Sequence, residues 1–270
     1  MAWNRVATRP MAEILDELGQ ANTLTIAEAR PGIVVMSVNR PDRGNSQTVE
    51  MFGEIAWYAH TLRKAPLRAL IITGAGGATF CTGFDLQEVE VIAKMSIPEF
   101  NELVDTASAG TSGLRSLPCP VIAAISGPVA GGGLSLALSA DIRLATATAS
   151  FSAGFVRVGL SIGELGASWH LSRVIGPARA AEISFTGRTV KAEEAVRMGL
   201  ANRIVAGEGG DAVTSDVVAA AIELAEAIAE NGAEGIRATK NSLIRSAEID
   251  SFIAALELEN RSQVVVRTTL

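Results

Sequence analysis

The clearest pattern in this chain is Phe80-Cys81-Thr82-Gly83-Phe84-Asp85-Leu86, which follows a short apolar run at residues 69–73 and a glycine-rich turn. A strand that ends in such a turn exposes backbone N–H groups, which can point at a bound ligand. A second stretch of this kind lies downstream, where residues 120–125 lead through a turn to Gly131-Gly132-Gly133 at the start of a helix. Two backbone donors that converge on one oxygen form an oxyanion hole. The sequence predicts that the Phe84 N–H and the Gly132 N–H are such a pair.

The glycines of these two turns also have a simpler interpretation. Gly83 and Gly131-Gly132-Gly133 could serve only to permit tight turns and close packing, because glycine is the usual residue at such places. Their shared context favours a binding role. Each turn follows a strand, and the second opens a helix, whose N-terminus carries a partial positive charge where an oxygen gains negative charge.

The composition limits the classes of protein to which the chain can belong. Of its 270 residues, 48% are hydrophobic and 19% are charged, so the chain can bury a sizeable core. The net charge of −6 includes no block of basic residues, which argues against nucleic acid or an anionic membrane as the main partner. The two cysteines, Cys81 and Cys119, have no metal-ligand spacing and are expected to be free thiols in a reducing compartment. No apolar run approaches the roughly 20 residues that span a bilayer. The start of the chain lacks a signal-peptide layout, so a cytoplasmic location is the default expectation.

The order of the secondary-structure patterns predicts an α/β fold. Strands are predicted at residues 24–26, 33–38, 69–73, 121–125, 141–145 and 149–151. Helices are predicted at residues 46–64, 98–117, 132–140, 234–245 and 249–266, with another that starts at Gly176-Pro177 and one whose apolar face carries Val217, Ala221, Leu224 and Ile228. The strands thus fall in the first 150 residues and the helices in the last 100. We expect an N-terminal extension at residues 1–22, an α/β core at 23–205 and a helical C-terminal region at 206–270.

Several motifs in this order resemble the enoyl-CoA hydratase/isomerase, or crotonase, superfamily. The resemblance covers nearly all of residues 24–260. The motifs are Asn39-Arg40-Pro41 followed by Asn45, then Phe80 to Leu86, then residues 120–127 leading to Gly131-Gly132-Gly133, and finally Thr186-Gly187-Arg188 with Gly199-Leu200. Each motif alone is weak, whereas their shared order and spacing are specific.

The resemblance implies a fold, a ligand and an assembly. The implied fold is the ClpP/crotonase-like spiral β-β-α core with a helical C-terminal trimerisation region. The implied substrate is a coenzyme A thioester, without a prosthetic group or metal, and the implied assembly is a homotrimer or a dimer of trimers. By motif position, Phe84 and Gly132 supply the two N–H groups that polarise the thioester carbonyl.

The resemblance also places CoA near the first oxyanion segment. The residues implied to bind it are Arg43, Asn45, Thr82, Phe84, Asp85 and Leu86. Arg43 is the cation best placed for a phosphate, although a solvated loop charge is an equally good interpretation of that residue.

The chain departs from the family at the two glutamates that its hydratases use. The first would lie three residues after the central glycine of the triple-glycine run, where this chain has Ser135. The second would lie four residues after Phe151, where it has Phe155. Neither side chain can replace a glutamate in proton transfer near neutral pH.

One acid remains close to these positions in the sequence. Glu164 lies in Gly159-Leu160-Ser161-Ile162-Gly163-Glu164-Leu165-Gly166, and some family members, including dienoyl-CoA isomerases, hold an acidic residue in this loop. Apolar neighbours could raise its pKa and suit it to act as a base. The alternative is a solvent-facing glutamate that caps the helix starting near Gly166. A single carboxylate suits double-bond isomerisation better than hydration by two acids.

Other chemistries have weaker support. The segment 159–163 fits the Gly-x-Ser-x-Gly pattern of serine hydrolases, but His170 follows too soon to complete a triad. His60 and His170 are well separated and give little support to a metal site. Two hypotheses stay open. The chain is an enoyl-CoA hydratase/isomerase in which Phe84, Gly132 and Glu164 act, or it is an acyl-CoA-binding homologue with little turnover.

Overall fold

The computed structural model describes residues 8–206 and 213–267, with nine strands and eleven α-helices in these two ranges. The strands are β1 (Leu24–Arg30), β2 (Ile33–Val38), β3 (Ala69–Gly74), β4 (Val121–Ile125), β5 (Pro128–Ala130), β6 (Ile142–Thr146), β7 (Ser150–Ser152), β8 (Thr189–Lys191) and β9 (Arg203–Val205). The helices are α1 (Met11–Leu18), α2 (Val49–Leu62), α3 (Val89–Ala93), α4 (Ile97–Arg115), α5 (Gly132–Ser139), α6 (Ala167–Ile175), α7 (Pro177–Thr186), α8 (Ala192–Met198), α9 (Val213–Ala229), α10 (Ala233–Ser246) and α11 (Phe252–Arg267).

The main sheet has six strands in the order β1-β2-β3-β4-β6-β9. β1 and β2 form an antiparallel hairpin that turns at Pro31-Gly32, and every other neighbouring pair in the sheet is parallel. Every residue of β3 and of β4 is buried. Parallel strands covered on both faces are continuous apolar runs, which is why these two strands were readable in the sequence.

Helices cover both faces of the main sheet. On one face, α2 packs through Met51, Ile55, Tyr58 and Leu62, at the spacing of three and four residues that lines one side of a helix. The Thr48 side chain begins this helix by accepting a hydrogen bond from the Met51 N–H. On the other face, α9 packs against β2, β3, β4 and β6. The sheet therefore forms the central layer of an α/β core.

A smaller sheet positions the second glycine turn. It has the order β5-β7-β8, with β5 parallel to β7. β5 ends at Ala130, and the next residue continues along β7 by donating its N–H to Ser152 O at 3.2 Å. This pairing fixes the chain just before α5 begins.

The predicted α/β core is confirmed, but the restriction of strands to the first 150 residues is wrong. β8 lies at residues 189–191, and β9 pairs with β6 as an edge of the main sheet. β8 and β9 have three residues each and show little of the alternation by which a strand is recognised, although the equally short β7 was predicted at residues 149–151.

The predicted N-terminal extension includes a helix that packs onto the core. Ile14 and Leu18 of α1 are fully buried, and the Tyr58 hydroxyl donates a hydrogen bond to Leu18 O at 2.7 Å. Residues 1–7 of this extension, and residues 207–212 and 268–270 of the C-terminal region, lie outside the described residues. None of the described helices is long and apolar enough to cross a membrane.

Candidate active site

The two glycine-rich segments lie side by side and run in the same direction. Cys81 and Val129 form a parallel bridge, in which the Ala130 N–H donates to Cys81 O at 3.0 Å and the Cys81 N–H to Pro128 O at 3.4 Å. Two residues further on, a Cβ on Gly83 would lie 3.4 Å from the Gly131 Cα and from the Gly132 nitrogen. The residue next to Phe84 is therefore close to Gly132, although 48 positions separate Phe84 from Gly132 in the sequence.

Glycine is required where the segments touch. Gly83 has φ +92°, and a Cβ there would lie 2.9 Å from Ala130 O and 3.4 Å from the Gly132 nitrogen. A Cβ on Gly133 would lie only 2.2 Å from Cys81 O. The simpler interpretation of these glycines, close packing, is thus correct in itself. The packing also brings the two backbone segments close together.

The Phe84 N–H and the Gly132 N–H are both unpaired within the part of the chain that the structure describes. On its other edge the first segment pairs with Gln47, whose N–H donates to Gly83 O at 2.7 Å and whose carbonyl accepts from the Asp85 N–H at 2.8 Å. In a parallel pair of strands, the bonds to Gln47 come from the residues on either side of Phe84, which are Gly83 and Asp85. The N–H of Phe84 itself therefore lies on the other edge of the segment, the edge that faces the second glycine segment. Gly132 opens α5, where an N–H has no acceptor within the helix. Neither N–H has a hydrogen-bond partner among residues 8–206 and 213–267.

A strained loop approaches the same point from residues 159–166. Leu165 has φ +49°, a left-handed conformation that costs a leucine roughly 1–2 kcal/mol. This turn buries the Leu165 side chain, whose Cδ1 lies 3.7 Å from the position of a Cβ on Gly132. Glu164, the residue just before it, is half-buried, and its carboxyl has no partner in the described part of the chain. Burial raises the pKa of Glu164 above its ordinary value.

The Phe84 side chain faces an apolar cluster. Its ring stacks on Phe52 with the ring centroids 6.1 Å apart and the planes inclined by 6°. Leu103, Ala107 and Leu165 complete the cluster. An apolar cluster next to two N–H groups that are unpaired in the described residues suits a ligand with a polar carbonyl and a hydrocarbon chain.

Comparison with known proteins decides the family. Residues 28–269 match the family model described as enoyl-CoA hydratase/isomerase. The chain belongs to the enoyl-CoA hydratase/isomerase family. Among its relatives is EchA12 of Mycobacterium tuberculosis, named a probable enoyl-CoA hydratase, which is 36% identical over 250 residues, or 90% of this chain and 84% of the relative.

Solved structures in the enoyl-CoA hydratase/isomerase family confirm the crotonase fold. An enoyl-CoA hydratase from Bacillus anthracis superposes with a TM-score of 0.81 at 30% identity, covering 90% of each chain. A Thermobifida fusca protein assigned as an enoyl-CoA hydratase was solved in complex with acetoacetyl-CoA. It superposes with a TM-score of 0.81 at 28% identity, covering 97% of this chain and 99% of that one.

Ser135 and Phe155, which the family resemblance predicts to stand in place of two glutamates, are both buried. Ser135 has no exposed surface, and its Oγ donates a hydrogen bond to Glu164 O at 3.4 Å. Phe155 is also buried. The residue in the position of the first glutamate thus contacts the backbone of the loop that carries Glu164.

The residues predicted to bind CoA divide into two groups. Asn45 and Asp85 are buried and bonded within the protein. The Asn45 amide donates to Ala75 O and Thr79 O and accepts from the Arg40 N–H, while Arg40 also pairs with Asp85 at 2.9 Å. A direct contact between CoA and the Asn45 side chain would require breaking these bonds, and the structure gives Asn45 the role of holding the loop.

The second group is accessible. Thr82 is exposed while its hydroxyl donates to Gly44 O at 3.1 Å, and Leu86 is exposed. Arg43 lies 3.5 Å from Asp85 and keeps much of its side chain in solvent. The Gln87 N–H and the Arg40 side chain hydrogen-bond to Asp85 and lower the pKa of that carboxyl. Contact of Arg43, Thr82 or Leu86 with CoA stays a prediction.

One buried residue at this site was missed in the sequence. Gln47 is 1% exposed, and its side-chain Oε1 and Nε2 have no hydrogen-bond partner in the described residues. A Cβ on Gly132 would lie 2.1 Å from Oε1. The only sign of it in the sequence was a glutamine two residues after Asn45. The residues around it indicated no more than the start of a helix.

The weaker sequence candidates have ordinary surroundings. Ser161 is exposed, and its Oγ accepts a hydrogen bond from the Gly163 N–H. His170 packs edge-on to Trp169, and burial with neighbouring arginines lowers its pKa to about 4. Burial raises the pKa of Cys81 to about 12, so this cysteine stays a packing thiol. The described residues contain no group of three His, Cys, Asp or Glu side chains that could hold a metal ion.

A large cavity of about 1450 Å³ lies elsewhere, between the end of α2 and α10. Its lining includes His60, Arg63, Arg68 and Arg237 but none of the residues that carry the unpaired donors. Its lining also lacks Glu164, so this cavity contains none of the residues that the sequence predicts to be catalytic.

Proposed function

We propose that this chain binds an acyl-CoA thioester and shifts the double bond of an enoyl-CoA. The Phe84 N–H and the Gly132 N–H hold the thioester oxygen, and Glu164 transfers the proton. The observation that carries the proposal is the approach of the Glu164–Leu165 turn to Gly132, with an unpartnered carboxyl of raised pKa.

The proposed reaction moves one proton and returns it. The Glu164 carboxylate removes a proton from C2 of a 3-enoyl-CoA, and the electrons pass to the thioester oxygen as a dienolate. The two N–H groups stabilise this charge, and loss of one such donor typically costs about 3 kcal/mol of barrier. The protonated Glu164 then gives the proton to C4, and the double bond lies between C2 and C3. A carboxyl of raised pKa suits both directions of transfer.

Hydration is less well supported than isomerisation. Addition of water in this family uses two glutamates, and their positions hold Ser135 and Phe155. An acyl-CoA-binding homologue with little turnover is the second candidate function, favoured by the same two replacements. Turnover separates the candidates, because both bind acyl-CoA.

The experiment is incubation with 2-enoyl- and 3-enoyl-CoAs of several chain lengths in D₂O, followed by mass spectrometry. Isomerisation moves the double bond without adding water, and deuterium enters at C4 to the extent that the proton on Glu164 exchanges with the solvent before it is returned. Hydration adds the mass of one D₂O. Binding without migration, exchange or hydration across the panel would support the binder and overturn the isomerase.

The CoA moiety is proposed to lie along the first segment, beside the exposed Arg43, Thr82 and Leu86. The acetoacetyl-CoA complex of the Thermobifida fusca relative supports a CoA thioester as the substrate. The proposed enzyme needs no prosthetic group.

We propose a homotrimer or a dimer of trimers in the cytoplasm. Three exposed apolar side chains, Val156, Val158 and Leu160, follow one another on the surface and support burial between subunits. Light scattering coupled to size-exclusion chromatography tests the assembly, and a monomer at micromolar concentration would contradict it.

A further inference from the structure

The side chain of Gln47 is buried without a hydrogen-bond partner. It is 1% exposed, and within residues 8–206 and 213–267 nothing pairs with its Oε1 or its Nε2. A buried amide in this state destabilises the fold, because it has lost its bonds to water and gained none in return. Such a group is retained where a ligand completes its bonds.

Gln47 lies between the two halves of the oxyanion hole. Its backbone pairs with the segment of Phe84 through the hydrogen bonds to Gly83 and Asp85. Its side chain reaches the other half, where Oε1 lies 2.1 Å from the position that a Cβ on Gly132 would occupy. The amide is thus held beside the atoms that the proposed function gives to the thioester oxygen.

The neighbouring Asn45 shows that this part of the fold can satisfy a buried amide. Asn45, two residues earlier and fully buried, makes two donor bonds and one acceptor bond within the protein. Gln47 makes none through its side chain. The difference indicates that the Gln47 side chain is available to bind a ligand, whereas the Asn45 side chain holds the loop in place.

We propose that the Gln47 side chain binds the substrate at the oxyanion hole. Its amide is turned so that Nε2 takes the place of Oε1 beside Gly132 and donates a third hydrogen bond to the thioester oxygen. The proposal rests on the proposed function, since it assumes that Phe84 and Gly132 hold that oxygen. A side-chain donor beside two backbone donors adds stabilisation as the oxygen gains negative charge.

The test compares two ligands that differ at one atom. Butyryl-CoA carries the thioester oxygen, whereas S-butyl-CoA, its thioether analogue, has a methylene in place of the carbonyl. Calorimetric Kd values are measured for wild type and for Gln47→Met, whose side chain has a similar shape without hydrogen-bond donors. We expect the substitution to weaken butyryl-CoA about 10-fold, as loss of one good hydrogen bond does, and S-butyl-CoA by less than about twofold.

Stability supplies an independent readout. Replacing an unpartnered buried amide with an apolar side chain removes a desolvation cost, so the thermal midpoint of Gln47→Met should equal or exceed that of wild type. Gln47→Leu is the second variant if the methionine variant does not fold. Ser126→Ala is the matched control, because Ser126 Oγ is also buried and unpartnered in the described residues. It should leave both Kd values unchanged.

The outcomes separate the two proposals. Equal weakening of both ligands would show that Gln47 only shapes the pocket, and unchanged binding of both would show that it makes no contact. Either result overturns the role of Gln47. If wild type itself does not prefer butyryl-CoA to S-butyl-CoA, the oxyanion hole fails and the role of Gln47 fails with it.

Discussion

The two paired glycine segments, residues 80–86 and 128–133, are called the wall here, and they are built by different means from the loop at residues 159–166. The wall consists of backbone bonds between parallel segments, with glycines at contacts where a Cβ would lie 2.2 to 2.9 Å from a carbonyl oxygen. The loop holds Leu165 in a strained backbone conformation, and its proposed contribution is one side chain, the carboxyl of Glu164. The proposed oxyanion hole uses backbone N–H groups and should therefore tolerate an unusual side chain such as Phe84. The proposed proton transfer depends on one side chain, that of Glu164.

The largest effect is expected from Gly133→Ala. Its Cβ would lie 2.2 Å from Cys81 O, and a backbone atom cannot move aside as a flexible side chain can. We expect a loss of about 3 kcal/mol in the free energy of unfolding, since overpacking of this kind costs 1–3 kcal/mol or more. Turnover should fall with it, because the segments can no longer align. Urea denaturation and an isomerase assay measure both.

Gly53→Ala provides the control for that substitution. Gly53 lies inside α2, and a Cβ there would have nothing within 4 Å. The replacement should raise stability by roughly 0.5–1 kcal/mol, because alanine loses less backbone entropy in a helix than glycine does. Equal behaviour of the two glycine variants would show that the wall is not tightly constrained.

Glu164→Gln tests the loop. A general acid–base group contributes roughly 10²- to 10⁴-fold to the rate, so turnover should fall by that factor while the Kd for butyryl-CoA changes less than about twofold. Glu13→Gln, on the exposed side of α1, should change neither quantity. Unchanged turnover in both isomerisation and hydration would remove Glu164 from the mechanism.

The same substitution alters the dependence of stability on pH. The folded protein raises the pKa of Glu164 above its ordinary value of 4.5, so folding favours the protonated form. That contribution to stability is fully present below pH 4.5 and is lost as the pH rises through the raised pKa. Glu164→Gln should therefore be more stable than wild type at pH 8, with a smaller difference near pH 4. An identical difference at both pH values would contradict the burial of the carboxylate.

Phe84→Ala should distinguish the contribution of the Phe84 backbone N–H from that of its ring. The residue keeps its N–H, so turnover of a short enoyl-CoA should stay within about 10-fold of wild type. Loss of the stack on Phe52 should cost about 1–2 kcal/mol of stability, and bulkier acyl chains should gain relative activity. Phe84→Leu should give intermediate values. A loss of turnover as large as that of Glu164→Gln would mean that the ring takes part in the hole.

Arg43→Ala should have the smallest effect. The side chain is largely in solvent and lies 3.5 Å from Asp85, so stability should change by less than about 0.5 kcal/mol. If Arg43 contacts a CoA phosphate, affinity should fall a few-fold, more at low salt than at high salt. Arg245→Ala, which removes an exposed ion pair of the same length to Glu248, should leave affinity unchanged. Equal affinities of the two variants would place Arg43 outside the CoA site.

Long, buried elements could be predicted from the sequence, and so could the short strand β7, but β8 and β9 could not. The continuous apolar runs of β3 and β4 and the periodic face of α2 were recognisable, because burial on one or both faces leaves a local pattern. β8 and β9 have three residues each and owe their existence to strands far away in the chain. Their positions follow from the tertiary pairing and not from local preference.

The site shows the same division. The residues of the two glycine segments could be read directly and, with the other motifs in their order, indicated the family. Ser135 and Phe155 could also be read directly, as a departure from the family's pattern. The approach of Leu165 to Gly132 and the burial of an unpartnered Gln47 depend on contacts between segments that are distant in the sequence. A local pattern records which side of an element is buried. The tertiary structure decides which groups come into contact and which buried groups lack a hydrogen-bond partner, because these contacts join segments that are far apart in the sequence.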